Sequence, residues 1–149
     1  MRLALILASA IVAGSATTAA GYAVADDGRA PKPEPLGPET VTVVVDIEHS
    51  RFLPSSVRVI EGTEVRFVLS NDDPINHELI IGPPDVHALH ANGTESTHPP
   101  KPGEISLGPD KQGVTTYVFD EPGVVEMACH LPGHYGFGMR GEIEVVEAE

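Results

Sequence analysis

Residues 57–69 read VRVIEGTEVRFVL, and this stretch decides the fold class. Apolar side chains recur at every second position on either side of Glu61-Gly62, which is the period of a β-strand with one buried face. Similar short segments, separated by Gly- and Pro-rich turns, occur along most of the chain. The pattern predicts about eight strands, at residues 40–48, 57–60, 65–70, 77–81, 104–107, 114–119, 124–129 and 141–146.

A helical pattern is confined to residues 84–92, within a long Gly- and Pro-rich loop. Asp85 is the expected N-cap of this short helix, and Gly93 is its expected stop. Strands that each have a single apolar face must stack on a second sheet to bury that face. The fold class is therefore predicted to be all-β, as a β-sandwich or barrel.

The N-terminal 25 residues have the pattern of an export signal. Arg2 precedes an apolar run over residues 3–13, and Ala23-Val24-Ala25 forms a small-x-small cleavage site. The alternative is a segment that stays uncleaved and anchors the protein in the membrane, although its second half is only weakly apolar. A Pro-rich linker then covers residues 26–39, and one domain covers residues 40–149, so we expect an extracytoplasmic protein.

The chain is strongly acidic. It carries 9 Lys and Arg residues against 22 Asp and Glu, for a net charge of −13. Such a charge argues against binding to nucleic acid or to anionic membrane surfaces. A negative charge favours binding of cations or of a basic protein partner. The alternative is that the charge only keeps the protein soluble.

The chain has one cysteine, Cys129, so no intramolecular disulfide is possible. The segment from Cys129 to Met139 reads CHLPGHYGFGM, which places a thiol, the imidazole of His134 and a thioether within eleven residues. Two imidazoles, a thiolate and a weak axial methionine form a copper site, whereas zinc rarely accepts methionine. His77, which follows a turn at residues 71–74, is the best candidate for the second imidazole.

At these residues the sequence resembles the cupredoxins, the plastocyanin/azurin family. The Cys-x₄-His-x₄-Met loop is similar to those of auracyanin and rusticyanin, and residues 52–67 resemble the second and third strands of the family. The resemblance, over residues 40–147, implies a Greek-key fold and one copper ion per chain. It also implies that the ligands are His77, Cys129, His134 and Met139.

One residue departs from the family pattern. Many members place asparagine directly after the first ligand histidine, where it helps to hold the ligand loop and to tune the thiolate. This chain has Glu78 at that position, with Asn76 before His77. Because groups around the ligands tune a metal site, the usual redox properties of the family are not expected to transfer unchanged.

The remaining histidines allow further interpretations. His130 should point away from the Cys129 face, because consecutive strand residues point to opposite faces. His87 and His90 share a helix face and could bind a second metal with His98, or they could simply be polar residues of a solvated loop. An apolar rim around His134 is expected from Leu131, Pro132, Tyr135 and Phe137.

Three functions are consistent with these features. The first is one-electron transfer between redox partner proteins by a monomeric blue copper protein, with His134 as the electron exit. The second is copper storage, delivery or resistance, in which the loop histidines would matter more. The third is a metal-free β-sandwich used for adhesion or for binding a partner. An enzyme is not expected, because no nucleophilic triad or paired carboxylates stand out, and no small-molecule substrate is expected.

Overall fold

The computed structural model describes residues 40–93 and 99–148. The predicted export signal (residues 1–25), the predicted linker (residues 26–39) and His98 lie outside the described residues. The described part contains one helix, α1 (Pro84–Ala91), and nine strands. The strands are β1 (Val41–Glu48), β2 (Arg51–Leu53), β3 (Ser56–Ile60), β4 (Thr63–Asn71), β5 (His77–Gly82), β6 (Glu104–Leu107), β7 (Lys111–Phe119), β8 (Gly123–Ala128) and β9 (Arg140–Val146).

The strands form two sheets. One sheet has the order β2-β1-β4-β7, and the other has the order β3-β9-β8-β5-β6. Strand β1 runs parallel to β4, strand β3 runs parallel to β9, and the other neighbours are antiparallel. This arrangement confirms the predicted all-β sandwich.

The core lies between the inner faces of the two sheets. In β4, Val65, Phe67 and Leu69 are fully buried, while Glu64 and Arg66 on the other face are exposed. This alternation is the one that the sequence predicted. Because the apolar face is continuous along the strand, a shift of the register by one residue would expose the whole of it.

Strand β2 was not predicted. It has only three residues, and Pro54 follows it directly, so it is too short for an alternating pattern to be visible. Its central residue, Phe52, is nevertheless buried in the core. The strand is held by antiparallel pairing with the end of β1, where Ile47 faces Phe52.

Helix α1 lies where a helix was predicted, but the predicted N-cap is wrong. The cap position is Pro83, which offers no side-chain hydrogen bond, and Asp85 lies in the first turn instead. Proline suits the first helical positions because its missing N–H would have no partner there. Among residues 40–93 and 99–148, no helix combines the length and the apolar character needed to cross a membrane.

Strand β5 is buried along its full length because the opposite sheet covers one face and α1 contacts the strand. His77, Leu79 and Ile81 alternate onto the core face, and Leu79 and Ile81 belong to the core. Glu78 lies on the outer face, where its carboxylate is near His90 of α1. Strand β5 therefore presents chemically active side chains on both faces.

Candidate metal centre

Three predicted ligands converge at one end of the sandwich. The ligand atoms of His77, Cys129 and His134 all lie within 4.8 Å of one another. His134 Nδ1 is 3.2 Å from His77 Nδ1 and 3.3 Å from Cys129 Sγ. An ion bound about 2 Å from two nitrogens in a trigonal plane would hold them roughly 3.5 Å apart. The three side chains are therefore already close to the spacing that a metal needs.

The sheet and one loop bring these ligands together. His77 begins β5 and Cys129 directly follows β8, and these two strands are antiparallel neighbours, so the start of one meets the end of the other. His134 lies in the loop that joins β8 to β9. In this loop, Gly133 and Gly138 adopt φ values of 87° and 93°, a conformation that residues with a Cβ seldom adopt.

Met139 closes the ligand loop. Its backbone N–H donates to the carbonyl of His134 at 3.0 Å, and its carbonyl accepts from the N–H of Cys129 at 3.1 Å. Its side chain is fully buried within the core cluster that also contains Cys129. These bonds tie the residue to two of the ligands, and its role as the axial ligand stays a prediction.

Asp73 orients the His77 ring. The Nε2 atom of His77 lies 2.9 Å from the carboxylate of Asp73, so Nε2 carries the hydrogen and Nδ1 presents its lone pair to the centre. The same carboxylate accepts the backbone N–H groups of His49 and Ser50, each at 2.8 Å. The sequence pattern indicated only a turn at this position, so this role was missed.

Asn71 fixes the turn that carries Asp73. Its fully buried side chain donates to the carbonyls of Ile75 and Gly108, each at 2.8 Å, and accepts the N–H of Asp73 at 3.1 Å. Asn71 therefore holds the connection between β4 and β5 from both sides. Asparagine is common in turns for this reason, because its side chain can replace backbone partners.

Glu78, the departure from the family pattern, links β5 to the ligand loop. Its Oε1 accepts the backbone N–H of His130 at 2.8 Å. Its backbone N–H is directed at the sulfur of Cys129. Glu78 therefore holds the loop at the residue after the thiol. The family resemblance assigns this role to asparagine in many other members.

The pKa values at the centre reflect its burial. Burial raises the pKa of the Cys129 thiol to about 11, while hydrogen bonds from the N–H groups of Glu78 and Leu131 act in the opposite direction. Burial also lowers the pKa of His77, against the hydrogen bond that His77 donates to Asp73, which raises it. The neutral imidazole is the form that binds metals, whereas the thiol must lose its proton first.

The raised thiol pKa predicts that copper affinity depends on pH. Below pH 11 a metal has to displace the proton of Cys129, so affinity should rise about tenfold for each pH unit between pH 7 and pH 9. Competition with a chelator at several pH values would measure this slope. The Cys129→Ser variant serves as the control and should lose this contribution, and an affinity of the intact protein that does not change with pH would contradict the expectation.

His87 and His90 are not solvated loop residues. His87 and His90 are only 6% and 4% exposed. His87 Nδ1 lies 2.8 Å from Nε2 of His130, and His90 Nε2 lies 2.8 Å from a carboxylate oxygen of Glu104. The expectation of a polar loop is therefore wrong for both residues. His130 contacts His87 instead of the metal centre, as the strand alternation predicted.

The residues predicted to form an apolar rim around His134 have different roles. Phe137 is 76% exposed, while Leu131 packs partly buried against the core. Tyr135 stacks on the ring of His130 at 5.3 Å and donates its hydroxyl hydrogen to the carboxylate of Glu126 at 2.8 Å. The exposed apolar surface in this loop therefore lies at Pro132 and Phe137.

Comparisons with known proteins agree with this geometry. A family model described as copper binding proteins of the plastocyanin/azurin family matches residues 39–146. The copper-resistant cuproprotein CopI of Rubrivivax gelatinosus is 30% identical over 160 residues, which cover 97% of this chain and 96% of the relative. The protein of the same name from Pseudomonas aeruginosa is 27% identical, and the match covers 95% of this chain and 96% of the Pseudomonas protein.

Solved structures support the fold. Auracyanin B superimposes with a TM-score of 0.58 at 23% identity, and the match covers 78% of this chain and 93% of the auracyanin chain. Auracyanin A, a blue copper protein from Chloroflexus aurantiacus, has a TM-score of 0.58 at 22% identity, over 72% of this chain and 99% of its own. At these identities the likeness establishes a shared fold.

Proposed function

Because this chain belongs to the plastocyanin/azurin family of copper-binding proteins, we propose that it binds copper through His77, Cys129, His134 and Met139 and acts in copper resistance outside the cytosol. A copper ion held by these groups can take up and release a single electron. The protein supplies the ligand set, holds it in place and keeps the thiol away from water.

The convergence of His77, Cys129 and His134 carries this proposal. Their ligand atoms lie within 4.8 Å of one another, on elements that are hydrogen-bonded together. A lone thiol with two imidazoles and a buried thioether nearby is a soft donor set, which suits copper better than zinc or magnesium. Asp73 and Glu78 hold this arrangement from outside, so little rearrangement of side chains is needed when the metal binds.

The relatives favour resistance as the role. Two proteins named copper-resistant cuproproteins match over nearly the whole chain, including the part before residue 40. The predicted export signal at residues 1–25 would place the protein where excess copper enters the cell envelope. The acidic chain, with a net charge of −13, attracts cations and supports the same role.

Electron transfer is the second candidate function. His134 is partly exposed while His77 and Cys129 are buried, so the centre reaches the surface at His134. The exposed ring of Phe137 lies in the same loop and gives an apolar surface for a redox partner protein. An acidic chain would attract a basic partner, with an attraction that salt weakens beyond about 8 Å.

The first test is the spectrum of the purified protein with one equivalent of Cu(II). We expect an intense red-absorbing band and a narrow copper hyperfine splitting in EPR, because both arise from a copper–thiolate bond. Ordinary splitting with a pale colour would mean that Cys129 does not bind the ion and would overturn the ligand assignment.

Growth experiments separate the two roles. Deletion of the gene should lower the copper concentration that stops growth, and the intact gene should restore tolerance while a Cys129→Ser gene should not. Unchanged copper tolerance, together with a loss of electron flow to an acceptor, would overturn the resistance role and favour electron transfer.

A further inference from the structure

We propose that His87 and His130 form a second copper site on the outer face of the β5–β8 sheet, separate from the centre at Cys129. His87 lies on α1, and His130 follows Cys129 in the chain. The Nδ1 atom of His87 is 2.8 Å from the Nε2 atom of His130. This site goes beyond the proposed function, because the family centre requires neither residue.

The hydrogen bonds around His87 orient it as a metal ligand. Its Nε2 lies 3.3 Å from the backbone carbonyl of Glu126, which can only accept, so Nε2 carries the hydrogen. Nδ1 therefore presents a lone pair toward His130, and His130 Nε2 donates the hydrogen between the rings. A ring that donates to a backbone carbonyl and presents its other nitrogen is the usual arrangement of a metal-binding histidine.

The distance between the two nitrogens suits Cu(II). Cu(II) favours square-planar sites of nitrogen and oxygen ligands. Two nitrogens at neighbouring corners, each about 2.0–2.1 Å from the ion, lie roughly 2.9 Å apart. The rings therefore need to rotate and not to separate, and the hydrogen on His130 Nε2 moves to its Nδ1 so that Nε2 can bind the ion. His130 is only partly buried, and turning its ring requires the ring of Tyr135, which stacks on it, to move as well.

A groove beside the two histidines provides access for the ion and for water ligands. It has a volume of about 430 Å³, and His87, His130, Glu126 and Tyr135 are among its lining residues. The Glu126 carboxylate, which accepts the hydroxyl hydrogen of Tyr135 at 2.8 Å, lines the same groove. Water can fill the remaining coordination positions.

His90 lies next to this site but does not belong to it. Its Nε2 is held by Glu104 at 2.8 Å, and its Nδ1 lies 3.6 Å from a carboxylate oxygen of Glu78. Both nitrogens therefore face carboxylates and not the groove. The shared helix face of His87 and His90 suggested one metal site with His98, and the structure instead pairs His87 with His130.

A two-step copper titration tests the proposal. The first equivalent of Cu(II) should fill the thiolate centre, and the second should give an EPR signal with ordinary hyperfine splitting and weak colour. In the His87→Gln variant we expect the affinity for the second equivalent of Cu(II) to fall about 10–100-fold or more, because loss of a group that only supports a ligand already costs about that much. The spectrum of the first equivalent should stay unchanged and shows that the variant is folded.

The control is Glu64→Gln, because Glu64 is exposed on the outer face of β4 in the other sheet and should leave both equivalents intact. A second measurement uses the unaltered protein with ¹⁵N-labelled histidine, in which the second copper should show coupling to two imidazole nitrogens. Coupling to none or to one, or an unchanged second equivalent in His87→Gln, would overturn the site. Failure of copper to bind at Cys129 would be seen separately, because the intense red absorption band would then be missing.

Discussion

Replacing Cys129 with serine should abolish the intense red absorption band of the copper-loaded protein and widen its EPR hyperfine splitting. The band requires a sulfur–copper bond, and a serine hydroxyl is a hard donor that stays protonated at neutral pH. Copper affinity should fall by more than the roughly 10–100-fold that loss of a supporting group costs. Absorption, EPR and chelator competition on the purified variant would measure these changes.

The fold should survive this substitution. Serine is similar in size to cysteine, and the N–H groups of Glu78 and Leu131 that face the sulfur can donate to its hydroxyl. Met127→Leu is a matched control, because Met127 is a buried sulfur-containing residue on β8, two positions before Cys129. That variant should keep the band, since the change nearly conserves volume. A band that persists in Cys129→Ser would show that the thiolate is not a ligand.

The ligand loop could be predicted because its chemistry is local. Cys129, His134 and Met139 lie within eleven residues, so their spacing and residue types indicate a soft metal site before any fold is known. His77 lies 52 positions before Cys129, and its pairing depends on the contact between β5 and β8. Its position after a turn made His77 the best candidate for the second imidazole, and the resemblance to a known family then supported its connection to the loop.

The groups that support the ligands could not be predicted. Asp73 accepts hydrogen bonds from His49 and Ser50, more than 20 positions away, and no local pattern marks such a contact. The sequence showed that Glu78 departs from the family, but its bond to the N–H of His130 spans 52 positions. Side-chain hydrogen bonds of this kind depend on the assembled sheets, which a strand pattern does not define.

Local periodicity also has a clear limit at the second group of histidines. The helix period placed His87 and His90 on one helix face, which the structure shows to be buried, and strand alternation correctly turned His130 away from the thiol. Neither pattern shows which face of the helix packs against which face of the sheet. The contact between His87 and His130 exists because α1 covers the outer face of β5, next to the end of β8.

Replacing Asp73 with alanine should weaken both the fold and the copper site. The carboxylate accepts three hydrogen bonds, from the His49 and Ser50 N–H groups and from His77 Nε2. Its loss leaves these donors without their partner, at a cost of about 1–3 kcal/mol for each donor that water cannot reach. We expect unfolding in urea to show a loss of about 2–4 kcal/mol, on the same basis.

Copper affinity should fall roughly 10–100-fold in the same variant, because His77 loses the group that fixes its ring and its tautomer. Asp72→Ala is the matched control, since Asp72 is exposed and accepts only from the Ser70 hydroxyl in the same turn. A loss of stability with unchanged copper affinity would show that Asp73 only clamps the loop. The geometry argues against that result. The N–H groups of His49 and Ser50 hold the Asp73 carboxylate in place, and the carboxylate in turn holds the His77 ring.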